Sequence, residues 1–318
     1  MAQPKRQIQS QTQKQRIVWA IDPFEEKNEA QPHMISFLRK LASGGATIEP
    51  VYVLNPDEYD LNIQFNAPWL KELRPTVEKV VDHYVKDLKI EGLLPPQVVI
   101  EKRPSMSRGV QALVSYAKKS RADTIVTGTH ARNGLPRFFL GSFAETLLLE
   151  STLPVLIVGP HAASPKIERI LFATDLGKNG HFLFKHVIAL AKSHRAGITL
   201  FHAIPHPFEP ALQSGIYLLG GGFIAIPDFV SRQEAEKRKV AERYATLAKK
   251  HGVEIQILFE PAHSGVVQAV IACAEKEKVQ LIAMEAESGS VSAALVGSIT
   301  RQIVRTAPCP VWVLRNPK

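Results

Sequence analysis

The chain states one pattern twice. Ile17-Val18-Trp19-Ala20-Ile21-Asp22 returns as Ile170-Leu171-Phe172-Ala173-Thr174-Asp175. Gly109 answers to Gly265, Gly141-Ser142 to Gly297-Ser298, and Pro154-Val155 to Pro310-Val311, at an offset that hardly drifts along the chain. Self-similarity held over such a distance marks a duplicated unit, and both copies must find the same fold. The 318 residues therefore divide into two domains of roughly 150 residues, a common size for one hydrophobic core. The domains are read as residues 16–160 and 166–318. His161-Ala162-Ala163-Ser164-Pro165 is the joint, with little apolar periodicity. Residues 1–15, rich in Gln and basic side chains, read as a solvated, disordered tail.

Within each unit, strand-like runs alternate with helical ones. Strands are predicted near 16–21, 48–54, 97–102, 124–128 and 155–158, and again near 169–174, 198–204, 253–258, 280–284 and 311–314. Leu70, Leu73, Val77, Val80, Val81, Tyr84 and Leu88 recur at the spacing of one buried helix face. Alternating strands and helices imply parallel sheets with right-handed crossovers, hence an α/β fold of two tandem doubly wound domains.

Several function classes drop out on composition. No uninterrupted apolar run approaches the ~18 residues of a membrane span, and the basic N-terminal stretch has no apolar core of the kind a secretory signal needs. The two cysteines, Cys273 and Cys309, lie far apart with no ligand spacing, which speaks for a reducing compartment, taken as the cytoplasm, and against a disulfide framework or a zinc site. The net charge is +9, and Lys5, Arg6, Lys14 and Arg16 near the start carry four of those charges. Lys237-Arg238-Lys239 follows Glu234 and Glu236, as on a mixed solvated helix face. Nucleic-acid binding is disfavoured, since no RNA- or DNA-binding motif accompanies the charge.

The segment from Gly128 to Ser142 carries the chemistry. It follows the apolar run Thr124–Thr127, and Gly141-Ser142 opens a helix-like stretch. Glycines let backbone N–H groups approach an anion closely, and a helix start presents unpaired donors and a positive dipole end. Strand, glycine loop and helix start together suit a phosphate ligand. In an open parallel sheet, Asp22 and Gly128 would both line the crevice at the strand ends if the first and fourth strands are neighbours. Asp22 suits either a base amine or ribose hydroxyl of a ligand, or a helix N-cap.

These residues resemble the universal stress protein family, in its tandem two-domain form. Its nucleotide-binding members carry G-x2-G-x9-G-[S/T] after the fourth strand, which reads here Gly128, Ala131, Gly141 and Ser142. Asp22 matches the family's first-strand Asp, and Val53 its second-strand adenine contact. The endings STLPVLIV and APCPVWVL are similar to the family's last strand. The resemblance implies five strands per domain in the order 3-2-1-4-5 with helices on both faces. It also implies a site for ATP or another adenine nucleotide, accompanied by Mg²⁺, at Asp22, Val53, Thr127, Gly128, Ala131, Arg132, Gly141, Ser142 and Phe143. Ala131 departs from the motif and weakens the cradle, and Arg132 and Arg137 are placed to offset that with charge.

The second copy departs further. Matched by sequence, Gly128 becomes Met284 and Ala131 becomes Glu287, with Glu285 beside them, while Asp175 and Ala203 hold the other family positions. Carboxylates there repel polyphosphate, although Ser288-Gly289-Ser290 offers a small-residue loop in shifted register. The expectation is a cytoplasmic stress-response regulator whose first domain binds the nucleotide and whose second is mainly structural. Two alternatives stand: an interaction module without nucleotide, and a slow ATPase or self-phosphorylating protein. No nucleophile elbow, HExxH or P-loop lysine appears, and no catalytic or metal-binding residue is assigned. His202 and His206 are separated by Pro205 and do not form a helical ligand pair. Gly220-Gly221-Gly222 follows no strand, and its apolar neighbours suit a flexible lid, a partner surface or lipid-like pocket, or a core segment. Expected partners are an unidentified regulatory protein, a second copy of the chain, and, inside the chain, an edge-to-edge pseudo-dimer through Val155–Val158 and Val311–Leu314.

Overall fold

The structure is a computed structural model and describes residues 15–24, 31–55, 67–129, 141–159, 166–177, 180–204, 226–286 and 297–315. The first half runs β1 (Arg16–Ala20), α1 (Gln31–Ser43), β2 (Thr47–Leu54), α2 (Ala67–Lys86), β3 (Gln97–Ile100), α3 (Met106–Lys119), β4 (Thr124–Gly128), α4 (Ser142–Glu150) and β5 (Val155–Val158). The second runs β6 (Arg169–Ala173), α5 (Gly180–His194), β7 (Gly197–Ile204), α6 (Ile226–Lys250), β8 (Ile255–Pro261), α7 (Val266–Lys276), β9 (Leu281–Glu285), α8 (Ser298–Thr306) and β10 (Val311–Leu314).

All ten strands form one sheet, ordered β3-β2-β1-β4-β5-β10-β9-β6-β7-β8. Each half keeps the expected order 3-2-1-4-5, and its internal pairings are parallel. The halves meet where β5 and β10 pair antiparallel, Val311 against Ile157 and Val313 against Val155. The sequences VLIV and VWVL explain why. Both strands are buried along their whole length, so each would present an apolar open edge if left alone, and each covers the other.

Near-continuous Val, Ile and Leu runs suit a sheet covered on both faces. Ile17, Trp19 and Trp312 face a core shared with Phe37 of α1, Val81 of α2, Phe184 of α5 and Tyr244 of α6. Val18, Ile125 and Val313 face a second core with Val110 of α3, Leu147 of α4, Val270 of α7 and Ile303 of α8. The helical spacing read around Val77 holds: Val77 and Val81 are buried, with Leu73, Tyr84 and Leu88 packed beside them. The N-terminal tail lies outside the described residues except Gln15, whose carbonyl accepts the Thr47 N–H at 2.8 Å. Among the described residues no helix is long and apolar enough to cross a membrane.

Two sequence matches between the copies shift by one residue. β1 sets Ile17 against Thr124, and β6 sets Ile170 against Leu281. Thr124 therefore corresponds to Leu281, and Gly128 to Glu285 rather than Met284. Gly109 and Gly265 are not equivalent either. Gly109 lies inside α3, where a Cβ would meet Asn55 Nδ2 at 2.8 Å, whereas Gly265 precedes α7 with φ 98°. The left-handed residues that close α3 and α7, Arg121 (φ 57°) and Lys278 (φ 49°), fix the true register.

Candidate functional site

β1, β2 and β4 all end on one edge of the first half. Ala20 pairs with Val51 and Trp19 with Val126, so the register carried forward sets Asp22 level with Val53 and Ile21 level with Gly128. Asp22 is exposed, and its Oδ1 accepts the Phe24 N–H at 2.9 Å. That closes a local turn in the manner typical of Asp. Pro23 and Phe24, the residues that Asp22 would cap, form a turn and not a helix, so the helix-cap alternative for Asp22 does not hold. Val53 is buried, as is Thr127. The φ of Gly128 is not positive, and a Cβ there would make an ordinary contact with Met34 Cε at 3.5 Å. What glycine provides at this strand end is the absence of a side chain, not an unusual backbone.

Beside it, the Thr129 hydroxyl is buried without a hydrogen-bond partner among the described residues. Gly141 precedes α4, and no side chain caps that helix. Its first-turn N–H groups are orphans on a positive dipole end. Glu145 in the same turn would oppose an anion, but Arg305 binds its carboxylate at 3.0 Å, with Arg301 at 4.0 Å. Ser142 is exposed at the helix start, and Phe143 packs against the core beneath. Ala131, Arg132 and Arg137 lie outside the described residues, as do His206 and Gly220–Gly222.

The second half repeats the frame with other side chains. Asp175 follows β6, and its Oδ1 accepts the Gly177 N–H at 2.8 Å, the same turn as at Asp22. Gly297 precedes α8, again without a side-chain cap. The row that holds Ile21 and Gly128 in the first half holds Thr174 and Glu285 here. Thr174 donates its hydroxyl to Glu285 Oε1 at 2.8 Å and accepts the Leu176 N–H at 2.9 Å. Gly180, the first residue of α5, lies against this pair. A Cβ on it would fall 2.4 Å from Glu285 Oε1 and 2.5 Å from the Tyr244 hydroxyl. That hydroxyl is buried and has no hydrogen-bond partner among the described residues. The Lys237 ammonium donates to the Asp175 carbonyl. His202 Nδ1 lies 2.8 Å from the Thr174 carbonyl, and its ring meets Phe259 edge-on, with the Arg238 guanidinium over the same phenyl.

Burial lifts the Glu285 carboxyl to about 7; the Thr174 hydrogen bond opposes this, Asp175 adds to it, and Lys237 opposes it. Burial also lowers the His202 imidazole and raises the Tyr244 phenol. The first crevice thus ends in a bare strand end and an open helix start, and the second in a half-buried carboxyl. Thr174 and Tyr244 were not singled out from sequence, and Lys237 was read only as part of a solvated helix face. The readable signal was a double exchange, Ile21 to Thr174 and Gly128 to Glu285, and the one-residue shift of register hid its second member. Among the described residues no cluster of His, Cys, Asp and Glu could hold a metal ion.

The model described as the universal stress protein family matches residues 14–159 and 166–315. A universal stress protein from Methanocaldococcus jannaschii is 27% identical over 150 residues, 45% of this chain and 81% of that protein. Universal stress protein A homolog 1 from Coxiella burnetii is 30% identical over 118 residues, 37% of this chain and 78% of that protein. The crystal structure of a universal stress protein from Archaeoglobus fulgidus superposes with a TM-score of 0.64 over 95% of this chain and 99% of that one. At 16% identity that likeness is one of fold.

Proposed function

The chain belongs to the universal stress protein family, and on that premise we propose that its first half binds ATP or a related adenine nucleotide with Mg²⁺ as a cytoplasmic regulatory protein. One contrast carries this reading: Gly128 leaves the strand end bare where Glu285 fills it in the second half. A triphosphate needs donors and room, and the orphan N–H groups of α4 lie in the chain segment that follows that bare end. The Thr129 hydroxyl, buried and unpartnered among the described residues, is one more group such a ligand would satisfy. Asp22 is exposed level with Val53, in reach of a base amine or a ribose hydroxyl. Mg²⁺ would neutralise phosphate charge, and Arg132 and Arg137 would add to that. The second half serves as structure, because the Glu285 side chain fills the phosphate position and repels a polyanion wherever it is ionised.

Titration calorimetry of the full-length protein with MgATP tests this. One site per chain is expected in the natural protein, and Gly128→Glu should weaken it at least about tenfold by bringing a carboxylate to the phosphates. No binding by the natural protein at millimolar MgATP would refute the reading. Unchanged affinity in the variant would move the site elsewhere.

A further inference from the structure

We propose that the Glu285 carboxyl, bonded by Thr174 and bordering, with the Tyr244 hydroxyl, the first residue of α5, is a proton-operated latch that sets how firmly α5 is seated on the second half of the sheet. The inference does not depend on nucleotide binding in the first half.

The geometry gives this carboxyl different surroundings in its two protonation states. One oxygen accepts the Thr174 hydroxyl at 2.8 Å. The Tyr244 hydroxyl is buried, without a partner among the described residues, and borders the same Gly180 position as Glu285 Oε1. A phenol can donate or accept. When Glu285 is protonated it can donate to the phenol oxygen, and the cluster closes without a net charge. When Glu285 is ionised the cluster holds a half-buried negative charge, which its low-polarity surroundings penalise and which draws in water. Gly180 packs against both groups with no room for a Cβ, so any opening of the cluster displaces the start of α5. Thr174 also holds the N–H of Leu176, a residue at φ 57°. The turn after β6 therefore moves with the latch. At its far end α5 finishes at His194, which touches Gly44 of the first half, so a change in its seat reaches the seam between the halves.

The neighbouring charges do not replace the proton. From the turn after β6, Asp175 opposes ionisation; from α6, Lys237 favours it and is engaged with the Asp175 carbonyl. The His181 ring of α5 lies tilted beside Tyr244, with ring centroids 6.0 Å apart, and His202 of β7 lies against the Thr174 carbonyl. From β10, Leu314 is the residue paired with Glu285, and the neighbouring Arg315 turns to the Leu148 carbonyl of α4. The net outcome is a carboxyl that changes charge near neutral pH, at about 7. Its midpoint lies above the ordinary carboxylate value of about 4.3. The stability it contributes is thus present below that ordinary value and is lost as pH rises through about 7.

Carboxyl carbon-13 NMR of the full-length protein from pH 4 to pH 9 tests this, with Glu285 assigned by the signal that Glu285→Gln removes. A midpoint near neutrality is expected, and Thr174→Val should move it upward by deleting the donor that favours the ionised form. Hydrogen exchange should show protection at residues 181–184 falling as pH rises through that midpoint in the natural protein and staying flat in Glu285→Gln. A Glu285 midpoint below pH 5 would overturn the proposal. So would protection at 181–184 that ignores the titration. The exchange profile is read on the natural protein and needs no variant.

Discussion

Gly44 and His194 hold the same place in the two halves and touch each other: a Cβ on Gly44 would lie 2.5 Å from His194 Nε2. The strand registers establish the equivalence, since Arg16 pairs with Thr47 as Arg169 pairs with Gly197. The residues that follow, Gly45 and Arg195, both turn left-handed, at φ 92° and 55°. The seam is therefore a small residue against a large one. Two first halves would face a gap there, and two second halves would force imidazole on imidazole. This asymmetry favours pairing of unlike halves.

Gly44→Ala should destabilise the full-length protein by about 1–3 kcal/mol, because the added methyl overpacks a closed contact. Adding His194→Gly to the same chain should recover part of that loss. Urea unfolding of the single and double variants measures both. Additive losses would show that the two residues do not share the contact.

Three histidines set an acid limit. Burial lowers the imidazoles of His186, His194 and His202 from their usual range. A lowered imidazole binds fewer protons when folded than when unfolded, so its contribution is complete above the ordinary value of about 6.5 and falls as pH drops below it. This slope is opposite in sign to that of Glu285. Melting temperatures should fall from pH 6.5 to pH 5, and His194→Gln should flatten that fall. An unchanged profile in the variant would remove His194 from the account.

Both thiols should be inert in the folded protein. Burial raises Cys273 and Cys309 to about 12, so at pH 8 the thiolate is scarce beyond its ordinary fraction. Reaction with a disulfide reagent should be slowed at least about a hundredfold relative to the urea-unfolded chain. Rapid release of one equivalent from the native protein would contradict this.

The seam between β5 and β10 should tolerate no charge. Val313 is fully buried opposite Val155. Val313→Asp should cost at least about 3 kcal/mol by leaving a carboxylate unpaired in a dry interior. The loss should appear in one cooperative transition, because the cores on both faces run through both halves. Two separated transitions, with the first half unaffected, would mean that the halves fold independently.

Much of the fold was legible because period and repetition survive without tertiary information. The alternation of Ile17, Val18 and Trp19 between two faces, and the helical spacing of Val77, Val81 and Tyr84, are local consequences of backbone geometry. The site was legible only in outline. Asp22, Val53 and Gly128 come to one edge because parallel strands end together, and the family pattern names them. The helix-cap alternative for Asp22 was settled by the turn at Pro23 and Phe24. The equivalence of Gly128 with Glu285 was missed because loops of unequal length separate the matched segments, and sequence spacing alone cannot place the odd residue.

The amino-acid sequence by itself determined a duplicated α/β chain with parallel strands, two apolar faces to cover, and a glycine-bearing strand end in one copy. Those properties follow from local periodicity and composition, which any neighbour along the chain can sense. Tertiary structure alone decided that Glu285 stands at the Gly128 position, that Tyr244 and Thr174 converge on it beneath Gly180, and that Gly44 receives His194. Each depends on strand register and on helices distant in sequence meeting across a sheet, where a shift of one residue exchanges a side chain for empty space.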